Sequence, residues 1–558
     1  MAVSAARLRA LFALFAVLSI VLSVRVGYWQ TVGRDQLLLR ATEQVRSDEV
    51  LHARRGTILD RSGTILATSV ELRSLYAVPS RIPDRAAAAQ QLGVLLGRDP
   101  AAILERLNSG AEWVFIHRRM PETTADAVLA LGIPGLGAIL ESKRLYPNGD
   151  LAAHALGFVS DDGDGQGGVE GRYDELLRGI DGTLVAERDP ADRTIAIGLR
   201  EAMPARDGAD LTLTIDLAVQ SVAELTLRSA ISDEGAASGA IVALDPRDGA
   251  IRAMASYPTY HPGGVAAAKP ESLRDRTISW SFEPGSTMKA ITMAAGLDSG
   301  VVTPTTTYED TGYADIGGRR LLNALGRAHG PTTMTQVLER SANAGAVFVA
   351  AKLGDQRLYD ALLRFGFGIP TGVDLAGEMS GTVRPLAEWY PVDVGTAAFG
   401  QGLTVTPLQL AAAYAAIANG GTLYRPHVVA GWRDADGEHR TAPVPLRRVA
   451  SERTAASLRE MLTSAVDHGL AQGARVPGFS VAGKTGTAQI PSSDGRYVDD
   501  EYISSFAGSV PATDPHLVIV VVLERPASKL LGTVTAMRIF RDVAQGSLRY
   551  ARIQPDRP

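Results

Sequence analysis

Phe282 to Ala290, FEPGSTMKA, constrains this chain more than any other short stretch. Glu283-Pro284-Gly285 interrupts whatever element enters it, since proline lacks an N–H and glycine frees the backbone. Met288, Ile291, Met293 and Leu297 then recur at helical spacing and predict a helix. Ser286 sits at the start of that helix, and Lys289 falls three residues on, over the same face. A serine hydroxyl is a poor nucleophile at neutral pH and needs a base within hydrogen-bond reach. A lysine can be that base if burial or a neighbouring cation disfavours its ammonium form. The helix start also leaves backbone N–H groups unpaired, aimed where a tetrahedral oxyanion would form.

Alone, S-x-x-K is as easily a capping serine followed by a surface lysine. Two downstream matches, in order, change that reading. Ser341-Ala342-Asn343 supplies S-x-N, and Lys484-Thr485-Gly486-Thr487 supplies K-T-G. The set is identified as the three-part signature of the penicillin-binding and serine β-lactamase superfamily. Ser286 and Ser341 are 55 residues apart (341 − 286), a spacing typical of that superfamily. Ser341 and Lys484 are 143 apart (484 − 341), longer than in a compact β-lactamase.

At 558 residues the chain has room for about three domains. A formal net charge of −5 argues against nucleic acid as a partner. Without cysteine, neither a disulfide framework nor a thiolate metal site is possible. The histidines are scattered and carry no metal spacing, so no metal and no cofactor are expected. Ala10 to Val24 is uncharged and apolar apart from two serines. Extended to Trp29 it gives ~30 Å of helix, about one hydrocarbon core. Arg25 would snorkel, and Tyr28 and Trp29 would sit among headgroups, with Arg7 and Arg9 on the cytoplasmic side. A cleaved signal peptide shares this pattern, but no A-x-A site follows, which favours an uncleaved anchor.

Beyond the anchor, Leu37, Leu38, Leu39 and Val45 suggest that the helix continues as a stalk to about Val50. In RRGTILDRSGTILATS, Arg54 to Ser69, the turn Asp60-Arg61-Ser62-Gly63 separates two short strands. From Ser80 to Leu177 short helices (84–96, 101–107, 123–131) alternate with turns. Gly163, Gly165 and Gly168 spell G-x-G-x-x-G, yet no convincing strand feeds them, so the dinucleotide reading fails. Asp161, Asp162 and Asp164 resemble a calcium loop, but Tyr173 stands where its glutamate belongs. From about Asp207 the pattern changes to a strand at 211–216, a helix at 217–230 and a hairpin at 239–256. The K-T-G stretch, 502–510 and 517–523 add three strands, and 534–550 closes as a helix with Met537, Phe540, Val543 and Leu548 on one side. Strands bracketing helices predict an α+β fold with an antiparallel sheet.

The chain resembles a class B penicillin-binding protein, a peptidoglycan D,D-transpeptidase, from anchor to last helix. RGTILDRSG is similar to the family's first pedestal element, through Arg55, Gly56, Asp60 and Arg61. GGVEGRYDELLRGIDG is similar to its second, through Gly168 and Glu170, which would tie the pedestal segments together. FGQGLTVTPLQLAAAYAAIANGG and SSFAGSVPATDP resemble segments of the catalytic domain, and FEPGSTMK with SANAGAVFVAAKLG resembles the division-type branch. The resemblance implies a tail at 1–9, a transmembrane anchor at 10–29, a stalk at 30–50, a pedestal (dimerisation-type) domain at 51–206, a transpeptidase domain at 207–552 and a tail at 553–558.

It also implies roles. Ser286 would attack the D-alanyl-D-alanine carbonyl of a donor stem peptide, with Lys289 as base. Ser341 would relay a proton, and Asn343 would bind the stem-peptide amide or steady Lys289. Lys484, Thr485, Gly486 and Thr487 would hold the terminal carboxylate, with the backbone N–H groups of Ser286 and Thr487 as the oxyanion hole. Implied partners are donor and acceptor stem peptides, β-lactams as covalent inhibitors, a SEDS-family glycosyltransferase met through the transmembrane helix and pedestal, and other divisome membrane proteins. The implied location is the inner membrane, single-pass, with the bulk extracytoplasmic. Alternatives are an elongation-type transpeptidase, or a D,D-carboxypeptidase or β-lactamase, although no convincing E-x-x-L-N supplies a hydrolytic glutamate. A β-lactam sensor or a silent divisome scaffold would be a different class. The single span counts against the first, and intact Ser286, Lys289 and Lys484 against the second.

Overall fold

The computed structural model describes residues 5–35, 46–187, 200–491, 497–527 and 529–558. It divides into two compact units, Met1–Arg54 with Gly179–Gly208, and Arg55–Arg178 with Ala209–Pro558. In the first, Ala5–Thr31 is one helix of 27 residues with a mean hydropathy of 2.3, none of its apolar window buried. It is long and apolar enough to cross a membrane. Leu37, Leu38, Leu39 and Val45 lie outside the described residues. The far end of the expected stalk helix is instead a strand, Arg46–Leu51, antiparallel to Gly182–Glu187, which pairs in turn with Arg200–Met203. Pairing with segments more than a hundred residues away overrides the local helical pattern there.

The second unit holds two large sheets and four two-stranded ones among its described residues. The first runs Gly437–Arg440, Val429–Asp434, Asp210–Leu213, Ile58–Leu59, Ile65–Ala77 and Val114–Met120, with Leu136–Leu145 also paired to Ile65–Ala77. Val114–Met120 and Leu136–Leu145 correct the expectation of helices and turns alone between Ser80 and Leu177. In VFIHRRM and LGAILESKRL exposed charges blur the alternation, and the long strand Ile65–Ala77 supplies the order. The three expected helices form beside them, at Arg85–Leu96, Pro100–Leu107 and Glu122–Leu129. Asp84 and Asp99 cap the first two by accepting backbone N–H bonds from Ala87 and Ala101. Leu75, Leu92, Leu107, Ile116 and Val128 form their shared core.

Asp210–Leu213 lies parallel to Ile58–Leu59 and antiparallel to Val429–Asp434, so this sheet continues across residue 207. The Asp60-Arg61 turn reinforces the seam. Asp60 accepts the backbone N–H groups of Ser62 and Thr64 at 2.8 Å and of Leu217 at 3.2 Å, and Arg61 pairs with Asp216 at 3.1 Å. Glu170, fully buried, accepts from Arg55 Nε and Arg144 Nε, each at 2.7 Å. Arg55 also reaches Asp174 at 2.7 Å, and Arg144 donates to the Gly56 carbonyl at 2.7 Å. Gly168, at φ +45°, packs against the Leu156–Gly157 peptide, where a Cβ would come within 2.5 Å of backbone.

The second sheet is antiparallel: Ile251–Tyr257, Ser238–Leu244, Leu517–Glu524, Tyr497–Val510 and Ala482–Pro491. Leu517–Glu524 is apolar without alternation because both of its faces are covered. Ile519, Val521 and Leu523 pack with Phe540 and Val543 of the terminal helix Lys529–Tyr550 and with Leu227 of Leu217–Glu234. Val518, Val520 and Val522 join a core with Met288, Ile291 and the buried helix Pro407–Ala418. Residues 553–558, expected as a tail, are bonded to this layer. Asp556 accepts from Ser480 N at 2.7 Å and Thr513 Oγ1 at 2.6 Å, and Arg557 makes a two-point pair with Asp467 at 2.9 Å.

Removing Glu170 would leave two buried guanidinium groups facing each other. Glu170→Ala is expected to cost about 3–5 kcal/mol in denaturant unfolding, whereas Arg178→Ala, which removes a half-exposed guanidinium and leaves Asp174 its bond from Arg55, should cost less than ~1 kcal/mol. Equal midpoint shifts for the two variants would contradict this account.

Candidate active site

The nucleophile turn is bolted from behind. Gly285–Met288 forms a 3-10 turn that runs directly into the helix Lys289–Asp298. Phe282 exchanges backbone hydrogen bonds with Val405, and Gly285 N–H donates to the Gly400 carbonyl at 3.1 Å. Tyr414, on the buried helix, donates to the Thr287 carbonyl at 2.8 Å, and Thr292 to that of Ala398 at 2.8 Å. Gly285 adopts φ +54°, and a Cβ there would come within 2.5 Å of the Thr487 carbonyl oxygen. Gly486 is tied to the same contact, since its Cβ would strike Ser505 Oγ at 2.3 Å and the Pro284 carbonyl at 2.9 Å. Glycines at 285 and 486 therefore let the first and third motifs touch backbone to backbone.

Lys289 Nζ lies 2.9 Å from Ser286 Oγ, 2.6 Å from the Ser341 carbonyl and 3.2 Å from Ser341 Oγ. Lys484 Nζ donates to Ser341 Oγ at 2.9 Å, with the carbonyl and hydroxyl oxygens of Thr485 at 3.3 and 3.4 Å. Both lysines are 1% exposed, and no carboxylate pairs with either among the described residues. Burial pushes the Lys289 amine well below the usual lysine range, and the Lys484 charge pushes it further. Burial alone brings Lys484 down to about 7. A continuous file of polar atoms thus runs Ser286, Lys289, Ser341, Lys484.

Ser341 closes the helix Met334–Arg340 in the left-handed region, φ 56° and ψ 38°. Such a conformation costs a non-glycine residue of order 1 kcal/mol and persists where its surroundings over-determine it. Here Ala342 N–H donates to the Val337 carbonyl, and the helix Asn343–Leu353 restarts at once. Asn323 Oδ1 accepts from Ala344 N–H at 2.9 Å, while its Nδ2 bonds both oxygens of buried Asp310 at 2.8 and 3.0 Å. Asn343 Nδ2 donates to the Leu322 carbonyl at 2.8 Å. Its amide nitrogen therefore fastens the second motif to the hairpin strand Arg319–Leu322, and the hydrogen bonds of Lys289 go to Ser286 and Ser341 instead.

Ala482–Pro491 is the outer strand of its sheet, paired on one side only. The N–H and C=O of one residue point to the same side of an antiparallel strand. The Thr487 carbonyl faces Gly285, so the Thr487 N–H faces outward as well, beside the nucleophile turn. Thr487 Oγ1 lies 3.2 Å from Thr533 Oγ1, and Thr485 is buried. Sequence reasoning placed Ser286, Lys289, Ser341, Lys484 and the K-T-G strand, and the fold brings all of them together. It missed Asp310, Asn323 and Tyr414, whose types carry no signal until tertiary contact gives them partners. Arg55, Gly56, Asp60, Arg61, Gly168 and Glu170 are gathered elsewhere in the same unit, around the first sheet.

Residues 239–545 match the penicillin binding protein transpeptidase domain, and residues 50–213 match the penicillin-binding protein dimerisation domain. The chain is 33% identical to stage V sporulation protein D of Bacillus subtilis, over 98% of this chain and 86% of that protein. It is 32% identical to peptidoglycan D,D-transpeptidase FtsI of Escherichia coli K12, over 95% and 90%. Among solved structures it resembles penicillin binding protein 3 of Mycobacterium tuberculosis complexed with aztreonam, with a TM-score of 0.72 and 28% identity, covering 91% of this chain and 99% of that one. With both domains matched across nearly its whole length, the chain belongs to the class B penicillin-binding proteins, in their division-type branch.

Proposed function

We propose that this protein is a membrane-anchored serine D,D-transpeptidase that crosslinks peptidoglycan stem peptides during septal wall synthesis. The observation that carries the reading is the file Ser286–Lys289–Ser341–Lys484, with two buried amines on one serine hydroxyl. Lys289, held neutral, takes the proton of Ser286 as Oγ attacks the carbonyl between the two D-alanines of a donor stem. The backbone N–H groups of Ser286 and Thr487 receive the oxyanion. The tetrahedral intermediate collapses, and the departing D-alanine amine takes a proton delivered from Lys289 through Ser341. An acceptor amine then attacks the acyl-enzyme and gives its proton to Lys289, which passes it to Ser286 Oγ as the ester bond breaks, restoring the neutral amine and the free hydroxyl. Lys484, Thr485, Gly486 and Thr487 line the place for the terminal carboxylate, and Asn343 holds the second motif in register. Residues 51–206 serve as pedestal and 207–552 as the catalytic domain.

β-Lactams imitate the donor and acylate the same oxygen. With a fluorescent penicillin the full-length protein is expected to give a lasting adduct that Ser286→Ala abolishes. An adduct that clears within minutes would move the assignment to a D,D-carboxypeptidase or β-lactamase.

The electrostatics give a second test with a definite sign. Lys289 must be neutral to accept the serine proton, so acylation is present above its lowered pKa and is lost as pH falls through it. The Lys484 charge is one cause of that lowering. Lys484→Met should therefore let the Lys289 pKa rise and move the acid limb of the acylation profile upward. A limb that stays in place, whatever happens to the plateau, would remove Lys484 from this role.

We further propose that Ala5–Thr31 holds the protein in the inner membrane with its bulk outside the cytoplasm, beside a SEDS-family glycosyltransferase and other divisome membrane proteins. The length and apolarity of that helix support an intramembrane contact. Crosslinking by reconstituted protein is expected to rise when the polymerase is added, and equal rates with and without it would sink the proposal.

A further inference from the structure

Some buried carboxylates in the second unit face guanidinium groups, as Glu170 faces Arg55 and Arg144 and Asp245 faces Arg247 and Arg252, while Asp60 and Asp310 rest on neutral donors. Glu283 belongs to the second kind. It is 8% exposed, three residues before the nucleophile, and no cation pairs with it among the described residues. Its partners are neutral. Oε1 accepts the Gly402 N–H at 2.8 Å, and the Tyr497 hydroxyl donates to Oε2 at 3.1 Å, with Oε1 at 3.4 Å. Burial pushes this carboxyl above its ordinary pKa, and the two hydrogen bonds act the other way. An unpaired buried acid is costly enough to be kept for a reason other than stability.

Its position supplies that reason, because three segments meet on it. The first is the nucleophile turn itself. The second is the loop 399–405, which pairs with Phe282 and accepts from Gly285. The third is the strand Tyr497–Val510, which enters opposite Pro491 and then pairs Ser504 with Thr487. Tyr497 thus ties the outer end of the hairpin that carries Thr487 to the turn that carries Ser286. Along this hairpin the inner end is sealed into the sheet by Leu517–Glu524, whereas the outer end reaches the nucleophile turn through the Tyr497 hydroxyl.

Resting on the acyl-enzyme reading above, we propose that Tyr497 is a positioning residue for acylation. It acts through Glu283 to fix the spacing between the two oxyanion-hole donors, Ser286 N–H and Thr487 N–H. The contact is needed most when the oxyanion forms and matters little for the initial docking of a ligand.

Tyr497→Phe deletes one oxygen from a side chain that is 40% exposed, so folding is not at risk. Saturation kinetics with a fluorescent penicillin separate the acylation rate constant from the dissociation constant of the preceding complex. The variant is expected to lose about tenfold in the rate constant, with the dissociation constant within about twofold and an unchanged melting temperature. In a Glu283→Met background the same Phe substitution should have no further effect, since both changes break one contact. An unaltered rate constant in Tyr497→Phe, a loss confined to binding, or losses that multiply in the double variant would each overturn the inference while leaving Ser286 acylation standing. A wild-type protein that forms no adduct would overturn the acyl-enzyme reading and this inference together.

Discussion

Two lysine amines, both withdrawn from water, share one serine hydroxyl, and much of this molecule follows from making that tolerable. An isolated buried ammonium is far too costly to persist, so the group neutralises or finds compensation. Lys289 has the Ser286 and Ser341 hydroxyls and one carbonyl for company, and no described carboxylate. Burial, with the Lys484 charge beside it, favours its neutral form, and a neutral amine is what a serine nucleophile requires. Lys484 carries the remaining positive character to the far side of Ser341, where it both depresses Lys289 and offers a cation to an arriving carboxylate.

Such a cluster holds its geometry only if its backbone cannot relax. Three unrelated stretches must converge, and each is braced by a different device. The nucleophile turn is held by Tyr414, Gly400 and Val405 from behind. Ser341 is kept in its left-handed conformation by two helices that end and begin around it and by Asn323 anchored on Asp310. The K-T-G strand presses against Gly285 through Gly486, with Asp556 clamping its root at Ser480. The first sheet extends this rigidity into the pedestal. Asp210–Leu213 pairs to both sides of the seam, and Asp60 accepts the first N–H of the helix that begins at Leu217.

What was legible in the sequence was the chemistry and the elements whose pattern is local. S-x-x-K, S-x-N and K-T-G announce themselves because the reaction dictates residue type and short spacing. Strand 517–523 and the helix 534–550 were readable because each pattern answers to one burial arrangement. Val114–Met120, Leu136–Leu145 and Arg46–Leu51 were not, because their order comes from partners far along the chain. Arg144 illustrates the same limit at a single residue. It completes the Glu170 cluster from a strand that the sequence did not suggest, and a lone arginine among exposed charges carries no mark of burial.

The commitment of Glu283 also bears on why the acyl group waits for an amine. Class A β-lactamases hydrolyse their acyl-enzymes with a glutamate that activates water. Glu283 is the carboxylate closest in sequence to the nucleophile, and both of its oxygens are taken, by Gly402 N–H and the Tyr497 hydroxyl. Freeing it for water would mean breaking the contact that braces the oxyanion hole, so deacylation by that route would weaken the stabilisation it needs. Lys289 is then the base left to the second half-reaction. An acceptor amine is a stronger nucleophile than water and can use that base, while no carboxylate among the described residues bonds Ser286 or Lys289 to serve water. On the proposed reading, a brace that speeds acylation would also bias the acyl-enzyme toward crosslinking and lengthen the life of the adduct that a β-lactam would leave on Ser286.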